Sequence, residues 1–442
     1  MKKELKKNIT QIAKKNLMFR NIIRKMIYIY RLMMFKIRTI GIKVDEKVII
    51  FGCFGGKSYT CSPKAIYEYM QTKPQFKDYK YIWAFREPEK YKYLEERPNT
   101  IVVRQGKKQY QKYLAKAKYW IFNYKIPEHI YPKKNQVFVQ CWHGTPLKRL
   151  GCDLIHFDNA LNTIKGIKKR YKIEAKKFTY FISPSRFATE KFISAWNLEE
   201  INKQDIIIEK GYPRNDFLYN YKKEDIRKIK EKLGIQDINK KILLYAPTYR
   251  GDQHESGVGY TYKEEVNFAR LQKELSEEYI ILFRPHYFVA NAFDFEKYNG
   301  FVYNVADIDD VNELYIISDV LITDYSSVFF DYANLHKPMI FHMYDLEHYR
   351  DESNGFYIDI KELPGKITRT DDELIDEILR VSKEFVYKQK YNKFNEKYNY
   401  LDDGNASERV VNEIINQNIA KAEIGVEILE TINTNNKRTH TI

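Results

Sequence analysis

Cysteine is scarce in this chain: Cys53, Cys61, Cys141 and Cys152 are the only four among 442 residues. Their spacing gives neither the short pairs of a zinc site nor the density of a disulfide-stapled secreted fold, and such usage suits a reducing cytoplasm. Long apolar runs are missing as well. No stretch approaches the ~20 residues that a membrane-crossing helix needs. The basic start lacks the compact apolar core and small-residue cleavage site of a signal peptide. The protein is therefore not expected to cross a membrane. There is no solenoid-type repeat and no long low-complexity tract. Zinc-finger spacings, RNA-binding aromatic signatures and basic-region heptads are also absent, so nucleic acid is not an expected partner.

What the chain has in excess is positive charge. Lys and Arg number 75 against 59 Asp and Glu, a net +16, which implies anionic company such as a lipid surface or phosphorylated substrates. A hydrophobic fraction of 44% is ample for folded cores, and this length exceeds what one core usually serves, so two domains plus appendages are expected. Residues 1–40 form a block of their own. Leu17, Met18, Phe19, Ile22, Ile23, Met26, Ile27 and Tyr30 are interrupted by Arg20, Arg24, Lys25, Arg31, Lys36 and Arg38. The pattern reads as a basic amphipathic helix at an anionic membrane surface, and equally describes a helix packed on the protein's own core with a solvated charged face.

From Val48 onward, short β-rich runs alternate with helical patterns: VIIFGCF, YKYIWAF, TIVVRQ, YWIFNY, QVFVQCW and FTYFIS. A lysine-rich polar stretch from Tyr219 to Lys241 follows, and a second series then begins with KILLYAPTY, YIILFRPH, GFVYNV, VLITDYS and PMIFHM. Alternation on this scale predicts βαβ units and parallel sheets. The expected fold class is α/β, with two doubly wound Rossmann-like domains facing a cleft, at 41–220 and 221–420. A frayed tail is expected at 421–442. Ligands of such sheets bind outside the carboxyl ends of strands, which places the strand-end residues in the cleft.

Several strands end in reactive or anion-binding groups. QVFVQCWHGTPLKRLG delivers His143, Gly144 and Thr145 into a loop followed by Lys148 and Arg149. An imidazole there could accept a hydroxyl proton at neutral pH, although a lone histidine is more often structural. YIILFRPHY places Arg284 and His286 around Pro285, a pair able to donate to phosphoryl oxygens or to form a surface turn with incidental charge. LLYAPTYRGD ends in Thr248 and Arg250, and EKGYPRNDFL marks a tight loop at Gly211 with Arg214, Asn215 and Asp216 exposed at its tip, able to line the cleft or to form a plain linker turn. In SDVLITDYSSVFFDYANLHKP a strand breaks at Asp324 and resumes with helical spacing, so Ser326 or Ser327 would cap a helix whose first turn could face a phosphate. The same pattern also describes an ordinary capped helix after an ordinary strand. Asp307, Asp309 and Asp310 read as a helix-initiating loop rather than a carboxylate cage for Mg²⁺.

Taken in order, WHGT with LKRLG, SPSRFAT, GYPRND, YAPTYRG, RPHY, ISDVLITDYSSVFFDYA and DDGNASERVV resemble the CDP-glycerol glycerophosphotransferases, the teichoic acid polyol-phosphate transferases. The resemblance covers roughly Val48 to Val411; Leu401 departs from the aromatic residue often found before Asp-Asp-Gly-Asn. It implies a GT-B fold and peripheral attachment to the cytoplasmic face of the cell membrane. It also implies transfer of a polyol phosphate from CDP-glycerol, or CDP-ribitol, to a lipid-linked polyprenyl-diphosphate acceptor, without metal or other cofactor. His143 becomes the expected base, with His286 and Arg284 neutralising the pyrophosphate. Asp324, Ser326, Ser327, Thr248, Arg250, Gly211 and Arg214 fall on the donor side, and Gly144, Thr145, Lys148 and Arg149 on the acceptor side. A GT-B glycosyltransferase using a nucleotide sugar is the rival reading.

Overall fold

The computed structural model describes residues 17–155, 163–235, 239–248, 254–255, 259–260, 266–285, 290, 292–347 and 355–416. The expected tail at 421–442 lies outside them. The amphipathic block forms one helix, Leu17–Thr39, with Lys36 and Arg38 in its last turn, where the helix dipole favours cations. Phe35 packs toward the first domain, while Met18, Met26, Ile29, Met33 and Ile37 are exposed. Among the described residues no helix is long and apolar enough to cross a membrane.

The first domain is built on strands β1 (Asp45–Gly52), β2 (Lys80–Phe85), β3 (Thr100–Arg104), β4 (Ala117–Phe122), β5 (Val137–Gln140), β6 (Tyr180–Ser183) and β7 (Ile207–Glu209). All pair in parallel in the order β3-β2-β1-β4-β5-β6-β7. The period of two along β1 sends Ile49 and Phe51 into one face's core and Val48 and Ile50 into the other's. A strand covered on both faces has no room for polar residues, which is why these segments read as unbroken apolar runs. Each fully buried Phe or Ile contributes about 2 kcal/mol of transfer free energy.

The second domain repeats the plan with β8 (Lys241–Ala246), β11 (Tyr279–Phe283), β12 (Val302–Asn304), β13 (Val320–Thr323), β14 (Met339–His342) and β15 (Lys366–Thr368), in the parallel order β12-β11-β8-β13-β14-β15. A two-stranded hairpin, β9 (His254–Glu255) with β10 (Gly259–Tyr260), lies between β8 and β11 in the chain. Both sheets reverse their winding direction beside their first strand, between β1 and β4 and between β8 and β13. That switch leaves a crevice at the carboxyl ends.

The polar stretch between the sheets contains a helix, Lys223–Lys232, whose Ile229 joins the second core. The expected division near residue 220 assigns everything after it to the second domain. The chain instead returns: Val410, Val411, Ile414 and Ile415 bury in the first domain's core with Ile66 and Met70 of helix Cys61–Gln71. Gly211 makes the return possible. Its φ is +89°, and a Cβ there would stand 2.7 Å from the Leu401 carbonyl oxygen, so only glycine allows the two segments so close.

Candidate active site

The two crevices face each other. The amide of Tyr59, in the loop after β1, donates to Asp309 Oδ2 at 3.2 Å, and Lys64 Nζ lies 2.7 Å from Asp310 Oδ2. Asp310 also caps helix Val311–Ile317 by accepting from the Asn312 amide. These carboxylates therefore start a helix and hold the domains together, in keeping with the helix-initiating reading.

His143 stands just past the end of β5, beside the first domain's switch point. Its Nδ1 is 2.9 Å from the carbonyl oxygen of Asn123, which follows β4. A carbonyl can only accept, so this contact places the proton on Nδ1 and leaves a lone pair on Nε2. Burial pushes the imidazole pKa down to about 4; the Asn123 contact opposes this, and the charges of Arg214 and Lys125 add to it. The ring is neutral at physiological pH and can accept a proton through Nε2. Trp142 stacks on it with centroids 4.1 Å apart, and Phe54 lies at 5.6 Å. Trp142 has a φ of +47°, an uncommon conformation for a bulky side chain. Its amide donates to Gln140 Oε1 at 2.9 Å and its ring meets Trp196 edge-on at 4.7 Å, so the strain is held from both sides.

A cavity of about 240 Å³ opens beside His143, lined from the first domain by Trp142, Gly144, Thr145 and Lys148 and from the second by Tyr325, Ser326 and Ser327. A Cβ on Gly144 would come within 3.2 Å of Ser327 Oγ, a measure of how closely the two loops approach. The loop continues into the second domain's territory: Lys148 bridges Phe356, and the Arg149 amide donates to the Gly355 carbonyl at 3.2 Å. Ser327 occupies the N-cap position of helix Val328–Tyr332, yet its side chain makes no capping hydrogen bond there, contrary to the expectation of a serine cap. With φ −70° and ψ 2° its backbone is not extended, the geometry that would bring the hydroxyl over the first-turn amides. Ser185, by contrast, does cap Arg186–Trp196.

Behind the cavity, Arg214 is nearly buried. Its Nη1 donates to the His143 carbonyl at 2.7 Å and its Nη2 pairs with Asp331. Asn215 Nδ2 donates to Asp331 Oδ1 at 3.1 Å and to Asp402 Oδ2 at 2.6 Å. Burial raises the Asp402 pKa to about 7, while Asn215 and the Tyr212 amide draw it back. Arg214 thus supports the His143 loop from beneath, and Gly211 contacts the returning chain rather than the cavity. Asp324 Oδ1 accepts from the Thr248 amide at 2.8 Å and ties the ends of β8 and β13. Arg284 Nη1 donates to the carbonyls of Val305 and Ile308 at 2.9 and 2.8 Å, and its side chain lines a second interdomain cavity of about 870 Å³ with Phe54, Lys57 and Asp309. His286 and Arg250 lie outside the described residues. Asn215, expected exposed at a loop tip, is instead buried between Asp331 and Asp402; sequence reasoning missed Asn123 and Asp331, and only the position of Asn123 just beyond a strand end could have marked it.

The sequence matches the family described as CDP-glycerol:poly(glycerophosphate) glycerophosphotransferase over residues 33–416. It is 37% identical over 401 residues to a teichoic acid poly(glycerol phosphate) polymerase of Bacillus spizizenii, covering 88% of this chain and 99% of that protein. A teichoic acid poly(glycerol phosphate) polymerase of Bacillus subtilis is 39% identical over 374 residues, covering 84% of this chain but 49% of that protein, so the chain spans about half of that relative. The solved wall teichoic acid polymerase TagF superposes with a TM-score of 0.80 at 34% identity, covering 94% of this chain and 99% of that one. Two parallel-sheet domains closing over a shared crevice, and a sequence matched across both of them, make the chain a member of the CDP-glycerol:poly(glycerophosphate) glycerophosphotransferase family.

Proposed function

We propose that the chain transfers glycerol phosphate from CDP-glycerol to a hydroxyl of a lipid-linked acceptor or growing teichoic acid chain at the cytoplasmic face of the membrane. The observation that carries the site assignment is the placement of His143, with Nε2 available, across one cavity from Ser326 and Ser327. In this reading the acceptor oxygen attacks the β-phosphorus of the donor. A new P–O bond forms, the bond to the bridging oxygen breaks, CMP leaves, and the acceptor proton passes to His143 Nε2. Ser326 and Ser327 hold donor phosphate oxygens. Arg284 and His286 meet the pyrophosphate charge, and Thr145, Lys148 and Arg149 line the acceptor's approach. The basic N-terminal helix and the net positive charge support a peripheral place on an anionic membrane.

Purified protein given radiolabelled CDP-glycerol and a lipid-linked acceptor is expected to release CMP and lengthen the acceptor. CDP-ribitol, run alongside, is expected to turn over more slowly, in keeping with the higher identity to glycerol phosphate polymerases than to a poly(ribitol-phosphate) polymerase, 37–39% against 34%. Release of UDP from a UDP-sugar without CMP release from either donor would overturn the reading in favour of glycosyl transfer.

A further inference from the structure

The underside of the N-terminal helix is chemically unlike its outer face. Between helix Leu17–Thr39 and the first domain lies a cavity of about 510 Å³, lined by Arg31, Arg38, Arg86 and His129, with no Asp or Glu among the described residues that line it. Arg38 Nη1 donates to Gln111 Oε1 at 3.1 Å, and Arg86 Nε donates to the Gly55 carbonyl at 2.8 Å. Both guanidiniums are thus held by neutral partners, and within the described residues none of the three arginines has a carboxylate partner. Burial and the charge of Arg31 push the His129 pKa down, which leaves a neutral imidazole as a further hydrogen-bonding group.

Three guanidiniums gathered around one cavity repel each other unless an anion joins them, and guanidinium forks suit phosphate oxygens. Met26, Ile29, Met33 and Ile37 are 64%, 53%, 50% and 58% exposed along the same helix. A helix that inserts such a face into a bilayer lies at the level of the lipid headgroups. Tyr30 and Met34 of the helix, with Pro127 and Ile130 of the domain, give the cavity an apolar wall beside its arginines.

From this we infer that the cavity binds the terminal phosphate or diphosphate headgroup of a membrane lipid, its hydrocarbon chain leaving along the exposed face of the helix. A phosphodiester lipid brings one negative charge, whereas a terminal phosphate or diphosphate brings two or three, the better match to three arginines. The site lies behind the loop at Phe54–Gly56: Arg86 grips the Gly55 carbonyl, and Phe54 in front of it packs on His143. A lipid held there would be tethered next to the proposed transfer site. The inference rests on the membrane-surface reading of the N-terminal helix.

The test is co-sedimentation of the full chain with vesicles of phosphatidylcholine alone, with phosphatidylglycerol, or with a polyprenyl diphosphate at matched surface charge. Wild type is expected to favour the diphosphate vesicles. Arg31→Gln with Arg38→Gln should lower that affinity well beyond the about thirtyfold that two surface charges account for, because the headgroup loses two guanidinium contacts as well. Lys25→Gln with Lys36→Gln, which removes equal charge from exposed positions outside the cavity, should weaken binding to both anionic vesicles alike and keep the preference. Arg86→Gln, in the body of the domain, should reduce the preference without touching the helix. Equal binding to both anionic vesicles by wild type, or equal losses in the two double variants, would overturn the headgroup site while leaving membrane attachment intact. Failure of wild type to sediment with any vesicle would overturn both.

Discussion

Replacing His143 by alanine is expected to lower glycerol phosphate transfer by about three orders of magnitude, the middle of the range that a positioned general base contributes. The reason lies in the tautomer. With Nδ1–H committed to the Asn123 carbonyl, only Nε2 can take the acceptor proton, and among the described residues no other side chain on the first domain's part of the cavity wall offers an imidazole or carboxylate. The pH profile gives an independent check. The group must be neutral to act, and burial holds its pKa near 4, so transfer should stay level through weakly acidic pH and fall as pH drops through about 4. A histidine of ordinary pKa would instead lose activity around ~6.5. The same depressed pKa makes the fold lose stability as pH falls between those values, because the unfolded chain binds the proton more readily. Rates should therefore be read from short exposures to acid, with refolding confirmed on return to neutral pH.

The second large effect is expected at Asp331. Removing this carboxylate by Asp331→Ala leaves Arg214 charged and nearly buried without its counter-ion, at a cost of about 3–5 kcal/mol in urea unfolding. The double change Arg214→Met with Asp331→Leu should recover most of that stability, because both charges are gone and apolar volume replaces them. Transfer should remain impaired in the double variant. The His143 carbonyl loses the donor that fixes its loop, and the imidazole loses a neighbouring cation that depresses its pKa. The acid limb of the remaining activity should accordingly move upward in pH. Full recovery of both stability and rate would mean that the Arg214–Asp331 pair serves packing alone.

How far the sequence could be read follows from where each feature gets its information. The loop at His143 and the turn at Ser326 and Ser327 were legible because each follows an apolar strand directly, and doubly wound sheets bring strand ends together. The doubly wound plan of the two sheets follows the same logic. Arg214, Asp331, Asn215 and Asp402 were legible only as members of separate motifs, since their contacts join positions more than a hundred residues apart in the chain. Their arrangement moves Arg214 from the donor side to a support beneath the His143 loop. The return of Val410 and Ile414 to the first domain had no local signal either, because an apolar helix face does not name the core it will join. At Ser327 the residue type suited a cap, and the backbone it received did not allow one.

The central claim is a division of labour across the crevice: Ser326 and Ser327 hold the donor, and His143 takes the proton. Calorimetric titration of CDP-glycerol into His143→Ala and into Ser326→Ala with Ser327→Ala, each assayed in parallel for transfer, tests it most directly. The account predicts that His143→Ala binds the donor as wild type does while failing to transfer it, and that the serine pair loses donor affinity at least tenfold, about 1.4 kcal/mol. Wild-type donor affinity in the serine variant, or undiminished transfer by His143→Ala, would contradict it.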